Sequence, residues 1–322
     1  MRQRKPNLFL IGAMKSGTTY LRKLLNTHPD IFMSDPDEPS YFVEPRDLRT
    51  IYPEMWKVGL WRSEALYLQL FEAARNAKVL GEASTSYTKL PCAPGTAERI
   101  AAFNPNARFI YLVRDPVERA ISHYWHMVRH HAEHRPIAKA FRRDPQFAAY
   151  SDYAMQLRPY LDRFCRDSIL VLVHERLVTD PVGVMRGVYE WLGVSAWATQ
   201  VSGFAEPENV TPDVISMARW AGIPRRLGQV PAMRSAIEWL PGAVHRALQC
   251  LTAREVQRRA IDMTEAVALL RSQQLERTNE LARLLDCSFP EWTTLYGASP
   301  IPTPLQGGRS TQPPRQPNTV IA

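Results

Sequence analysis

The chain has 322 residues, 45% of them hydrophobic and 22% charged, with a formal net charge of +8. That apolar share is enough for a sizeable core, which excludes disorder, collagen or coiled coil as a description of the whole. The basic balance points to anionic partners; nucleic acid, a membrane surface, a polyanionic glycan and a nucleotide are all open on charge alone.

Met1 to Lys5 is basic like the start of a signal peptide. The apolar stretch after it, Leu8 to Met14, is short, contains Gly12 and runs into Lys15, so it reads as a buried strand. No apolar run reaches the roughly 18 residues of a membrane span, and no transmembrane segment is expected. Asn7–Ile11 is a continuous apolar run between Pro6 and Gly12, the pattern of a strand buried on both faces of a parallel sheet. Thr18–Asn26 follows with Leu21, Leu24 and Leu25 at helical spacing. Further strands are expected at Lys78–Leu80, Arg108–Val113 and Ser168–Val173, and helices at Thr96–Phe103, Val117–Arg129 and Tyr150–Phe164. Strand–helix alternation predicts an α/β fold, a P-loop-like parallel sheet flanked by helices.

After Gly193 the pattern changes. Residues 202–250, rich in Pro, Gly, Trp and Arg, read as loops and short helices over one edge. Glu255–Asp286 reads as helical, anchored by Leu269, Leu270, Leu281, Leu284 and Leu285. This helical and loop C-terminal region is expected to pack on the sheet, giving a single domain over residues 5–298. The Pro-rich remainder, 299–322, reads as a disordered tail. Cys92, Cys165, Cys250 and Cys287 form no CxxC pair, against zinc-finger and thioredoxin readings. A reduced, cytoplasmic protein is the simpler expectation.

Gly12-Ala13-Met14-Lys15-Ser16-Gly17-Thr18-Thr19 lies between strand and helix. Glycines let the backbone approach a ligand, and free N–H groups at a helix start bind anions. The Walker pattern places its lysine after the last glycine; here Lys15 comes two residues before Gly17. A second feature is Arg114, at the end of the best strand, where α/β sheets bind ligands. Ser122, two helical turns further, is placed to share a phosphate with it. On its own, Arg114 is equally a salt-bridge residue for Asp115 or Glu118.

Together these segments resemble the sulfotransferases that use 3′-phosphoadenosine 5′-phosphosulfate (PAPS). Ile11–Thr19 is similar to their 5′-phosphosulfate loop, and Val113-Arg114-Asp115-Pro116 with Ser122 to their 3′-phosphate signature. Similar stretches are His28-Pro29-Asp30-Ile31, Glu38-Pro39-Ser40-Tyr41-Phe42, Gly81-Glu82-Ala83-Ser84, Glu175-Arg176-Leu177 and Trp191-Leu192-Gly193-Val194. The likeness spans roughly residues 7–295 and is nearest in pattern to glycan sulfotransferases, heparan sulfate enzymes and bacterial relatives among them. It implies PAPS as donor and no metal. Lys15 would stabilise the bridging oxygen, backbone N–H groups of Ser16, Gly17, Thr18 and Thr19 would hold the 5′-phosphate, and Arg114 and Ser122 would select the 3′-phosphate. It implies Glu38 as the base for an acceptor hydroxyl, or an amine, on a glycan or a small hydroxyl compound. Two residues depart from the frequent K-E-P-H-Y-F form: Asp37 stands for Lys, adding a negative charge beside Glu38 that raises its pKa, and Ser40 stands for His.

His123, His126, His130 and His134 recur on one helical face if the helix runs that far, with His131 adjacent. Their readings are a metal site, an acceptor contact or a solvated, partly packed face, and the incomplete ligand set favours the last. Tyr52, Trp56, Trp61 and Tyr67 are candidates for stacking on sugar rings or for the core. The rival enzyme reading is a P-loop kinase-like phosphotransferase, marked by magnesium-dependent ATP turnover. The rival binding reading is a basic nucleic-acid-binding protein; no specific nucleic-acid module is present, and steeply salt-dependent DNA or RNA affinity would be its signature.

Overall fold

A computed structural model describes residues 4–130, 133–195, 212–218 and 253–297. Strands β1 (Leu8–Gly12), β2 (Ile31–Met33), β3 (Val79–Ala83), β4 (Arg108–Val113) and β5 (Ile169–Val173) form one parallel sheet in the order β2-β3-β1-β4-β5. Apart from Arg108 and Phe32 every strand residue is buried, which explains the unbroken apolar runs: both faces are covered. Alternation splits each strand between two cores. Phe9, Ile11, Phe109, Tyr111 and Val171 enter one, and Leu8, Leu10, Ile110, Leu112 and Leu170 the other. The three-residue edge strand β2 is too short for its period to announce it.

The first helices are α1 (Thr18–Asn26), α2 (Pro45–Ile51), α3 (Pro53–Val58), α4 (Glu64–Gln69), α5 (Thr96–Phe103) and α6 (Pro116–His130). Then come α7 (Ile137–Arg143), α8 (Gln146–Ala149), α9 (Tyr153–Leu161), α10 (His174–Thr179), α11 (Pro181–Leu192), α12 (Thr264–Leu285) and α13 (Thr293–Tyr296). Leu21, Leu24 and Leu25 of α1 pack with Val184, Val188 and Leu192 of α11 in the second core. The helix expected at Tyr150–Phe164 is divided: Tyr150 ends α8, and Asp152 starts α9 by accepting the Met155 N–H. Asp115 caps α6, accepting the Val117 N–H at 2.9 Å, while its other oxygen accepts the Leu295 N–H and ties α13 to the same corner.

Helical structure does not begin at Glu255, as the sequence pattern suggested. Ala253–Gln257 is a strand, β7, antiparallel to β6 (Val214–Ala218), with Val256 opposite Ile215. This stretch carries few apolar anchors, so strand pairing decides its conformation. The helix starts after Asp262, whose side chain accepts the Thr264 N–H at 2.9 Å, a short polar residue acting as a start signal. From there α12 buries Ala266, Leu270, Gln274, Thr278, Leu281 and Leu285 along one stripe; Leu269 and Leu284 are partly buried beside it. The expected tail at 299–322, and most of the loop region at 202–250, lie outside the described residues. Among the described residues no helix is long and apolar enough to cross a membrane.

Candidate active site

The sheet order brings separate loops to one place. β1 pairs with β3 on one side and β4 on the other, so the carboxyl ends of three neighbouring strands open onto a single cleft of about 1390 Å³. Its walls include Lys15, Gly17, Thr18, Thr19, Glu38 and Arg114, and also Ser122.

The loop after β1 needs its glycines. Gly12 has φ +144, and a Cβ there would lie 2.2 Å from the Thr88 hydroxyl, which donates to the Ile11 carbonyl at 2.7 Å. Gly17 has φ +95, and a Cβ would lie 2.8 Å from His174 Nδ1. Between them Lys15 is held at φ +69, a left-handed conformation uncommon outside glycine. The Ser16 N–H closes onto the Ala13 carbonyl at 3.1 Å, and its hydroxyl is buried with no hydrogen-bond partner among the described residues. The first backbone bond of α1 runs from the Leu21 N–H to the Gly17 carbonyl. The N–H groups of Thr18, Thr19 and Tyr20 therefore have no acceptor within the helix, the usual state of a helix start.

Positive charge collects around this loop. Burial, then the neighbouring Arg114, Arg129 and Arg119 guanidinium groups, push the Lys15 ammonium below the usual lysine range. Arg114 reaches back to the Lys15 carbonyl at 3.4 Å and to Glu118 at 3.6 Å, and its own carbonyl accepts the Tyr153 hydroxyl at 2.7 Å. The salt-bridge reading of Arg114 thus holds for Glu118, and the ligand reading is compatible with it, because Arg114 also lines the cleft. Ser122 lies on α6 in the same wall.

Glu38 occupies the other side. Its backbone N–H donates to the Ala83 carbonyl at the end of β3 (3.0 Å), and its carboxylate accepts the Thr85 N–H and the Thr85 hydroxyl, both at 2.8 Å. Burial pushes the carboxyl above its ordinary value, opposed by the Lys89 charge and the Thr85 bonds. Asp37, expected to exert that push, instead pairs with Arg22 at 2.6 Å and is not among the main causes. The cleft therefore sets a cationic loop and a helix start against a carboxylate held by two donors.

A model of the sulfotransferase family matches residues 6–199. The chain belongs to the sulfotransferase family. It is 29% identical over 237 residues to mouse heparan sulfate glucosamine 3-O-sulfotransferase 3B1, covering 70% of this chain and 55% of that relative. It is 27% identical over 210 residues to mouse bifunctional heparan sulfate N-deacetylase/N-sulfotransferase 1, covering 60% of this chain and 22% of that one. The chain thus spans a little over half of the first relative and a smaller share of the second. The solved structure of a sulfotransferase from Alicyclobacillus acidocaldarius matches with a TM-score of 0.61 at 26% identity, covering 90% of this chain and 99% of that one.

Within this sulfotransferase fold the histidine stripe breaks up. α6 ends at His130, so His134 is not on its face, and His131 is outside the described residues. His123 is buried against Phe147 and Tyr150, and burial holds it far below the usual histidine range, hence neutral. His126 and His130, with ring centres 4.7 Å apart, remain on the cleft wall. Glu133, the nearby carboxylate, pairs with Arg135. Among the described residues no group of three His, Cys, Asp or Glu is arranged to hold a metal ion. Tyr67 is core, Trp56 and Trp61 stack on each other at 5.9 Å, and Tyr52 lines the cleft.

Three residues at the site escaped the sequence reading. Thr85 holds Glu38, yet sits one residue past the Gly81–Ser84 stretch that drew attention. Lys89 is 8% exposed and lines the cleft beside Glu38. His174, the first residue of α10 just past β5, abuts Gly17; burial and then Arg114 lower it to about 4. Neither had a motif to mark it, because it is the pairing of β5 with β4 that brings His174 near the loop.

Proposed function

We propose that this chain transfers the sulfuryl group of PAPS to a hydroxyl of a carbohydrate. The observation that carries the reading is the single cleft in which the Lys15 loop, Arg114 with Ser122, and Glu38 face one another at the carboxyl ends of β1, β4 and β3. The donor's 5′-phosphate fits the start of α1, where the N–H groups of Thr18 and Thr19 and the N-terminal end of the helix dipole favour an anion. Gly17 and Ser16 shape that turn. Arg114 and Ser122 suit the 3′-phosphate, which separates this donor from ATP-like nucleotides.

Sulfuryl transfer is mostly positioning and charge stabilisation. Glu38 takes the acceptor's proton as that oxygen forms its bond to sulfur. The bond from sulfur to the bridging phosphate oxygen breaks, and the Lys15 ammonium offsets the charge gathering on that oxygen. No step needs a metal ion, because Lys15 and the nearby arginines supply the positive charge. Similarity to the heparan sulfate enzymes supports a glycan acceptor, with transfer to an amine the lesser alternative.

The test is label transfer from radiolabelled PAPS to N-acetylated and N-sulfated heparosan oligosaccharides, beside calorimetric titration with 3′-phosphoadenosine 5′-phosphate (PAP) and ADP. Label on a saccharide and a clear preference for PAP are expected. Equal affinity for PAP and ADP overturns the donor assignment; tight PAP binding with no labelled saccharide overturns the acceptor class alone.

A further inference from the structure

Glu82, the penultimate residue of β3, is fully buried and belongs to no part of the transfer step. Its carboxylate has three hydroxyl partners. Oε1 accepts from Tyr67 at 2.6 Å and from Tyr87 at 2.9 Å, and Oε2 accepts from Ser84 at 2.9 Å. Each of the three also meets one of the three residues that lie two to four places after Glu38. The Ser84 hydroxyl accepts the Ser40 N–H at 3.0 Å. The Tyr67 ring lies flat against Tyr41, 4.2 Å between centres and 6° between planes. The Tyr87 hydroxyl accepts the Phe42 N–H at 3.4 Å.

The segment so held is not one that would hold itself. Glu38 has φ +61 and Ser40 φ +53, both in the left-handed region without being glycine, and such residues persist only where their surroundings fix them. The Ser40 side chain adds to the fixing, donating to the Glu38 carbonyl at 3.1 Å and sharing a 2.8 Å bond with Ser86. A buried carboxylate is costly unless fully hydrogen-bonded. Here the three hydroxyls that satisfy it aim their remaining capacity, or their ring face, at the base loop.

We infer that Glu82 is a positioning residue for the base: through Ser84, Tyr67 and Tyr87 it fixes Ser40, Tyr41 and Phe42, and so fixes where the Glu38 carboxylate stands. This rests on the reading of Glu38 as the base. Glu82 is fully buried and not part of the cleft wall, so its effect passes through the loop.

A double-mutant cycle reads this directly. Ser84→Ala removes the acceptor of the Ser40 N–H and keeps the cavity small. Misplacing a catalytic group by about an ångström costs on the order of 100-fold, so a fall in kcat of roughly 10- to 100-fold is expected with labelled PAPS and an N-sulfated heparosan oligosaccharide, PAP affinity staying within about twofold. In a Glu38→Gln background the same substitution should cost less than about twofold more, since no base is left to misplace. Hydrogen exchange needs no acceptor: amides of residues 38–43 should exchange faster in Ser84→Ala, with the α1 amides unchanged. Should Ser84→Ala fail to fold, Tyr87→Phe, which deletes one hydroxyl, carries the same cycle. An undiminished loss of kcat in the Glu38→Gln background, or unchanged exchange at 38–43, overturns the inference. Wild-type kcat in Glu38→Gln alone removes the base reading beneath it, a different and separable result.

Discussion

Glu38→Gln is the substitution that bears most directly on the mechanism. The carboxylate accepts two hydrogen bonds, from the N–H and the hydroxyl of Thr85. A glutamine oxygen can keep the first, and its amide can donate to the Thr85 hydroxyl, which is free to turn and accept. Shape and local bonding therefore survive while basicity is lost. Removing a general base costs about 10²–10⁴-fold, or roughly 3–5.5 kcal/mol of barrier. Lys15, the start of α1 and Arg114 are untouched, so PAP affinity should not fall by calorimetry, and loss of the Glu38 charge favours the nucleotide if anything. The pH dependence has a definite sign. The base must be ionised, so kcat rises as pH rises through the Glu38 pKa, which burial places above the ordinary carboxyl value; that limb should vanish in the variant. Initial rates across pH with labelled donor measure both effects. A variant keeping more than about a third of wild-type kcat, far above the general-base range, or one retaining the acid limb, refutes the assignment.

Arg114→Ala should weaken PAP binding by roughly 1.5–3 kcal/mol, the worth of a charge-assisted bond, and leave ADP affinity nearly unchanged; equal losses for both nucleotides would contradict a 3′-phosphate contact. Gly17→Ala places a Cβ 2.8 Å from His174 Nδ1 at φ +95 and should weaken PAP binding at least tenfold, about 1.4 kcal/mol, so wild-type affinity would count against the loop geometry. Glu82 is raised to about 7 by burial. Between the ordinary carboxyl value and about 7 the native state holds a proton that the unfolded state has released, so stability falls as pH rises through that window. Denaturant unfolding of wild type and Glu82→Gln at pH 5 and 8.5 should therefore show their difference changing by about 2.5 kcal/mol in favour of the variant; a pH-independent difference would refute it. A chain ending at Ala298 should melt within about 1 °C of the full chain, less than the roughly 1.6 °C that a loss of 1 kcal/mol gives at this length.

The sequence was most legible where one chain segment carries a whole physical requirement. β1, β4 and β5 are buried on both faces and read as unbroken apolar runs. The turn at Gly12–Thr19 needs positive φ and close approach, so its glycines show. Legibility failed where the requirement is spread over segments distant in sequence. Thr85 and Lys89 matter because β3 lies beside β1, and nothing in their own neighbourhood states the strand order. The strand at Ala253–Gln257 exists because Val214–Ala218 pairs with it, and a helical reading of residue 255 onward had no means of seeing that partner. The histidine stripe erred the other way: a period of 3 and 4 residues persisted in the sequence after the helix itself had ended.

The electrostatics of the cleft give a reason for Lys89. Burial moves Lys15 down and Glu38 up, each toward neutrality. A phosphate beside Lys15 reverses the first shift, because an adjacent anion favours the ammonium, the form that stabilises a leaving phosphate. The same anion pushes Glu38 further up, toward the protonated form that cannot act as base. A second cation on the acceptor side opposes that push. Lys89 is buried, lines the cleft, and is the main charge lowering the Glu38 carboxyl, while burial lowers Lys89 itself, opposed by the Glu38 charge. On the proposed reading Lys15 and Lys89 divide the work, one answering the charge of the donor and the other keeping the base ionised while the donor is present.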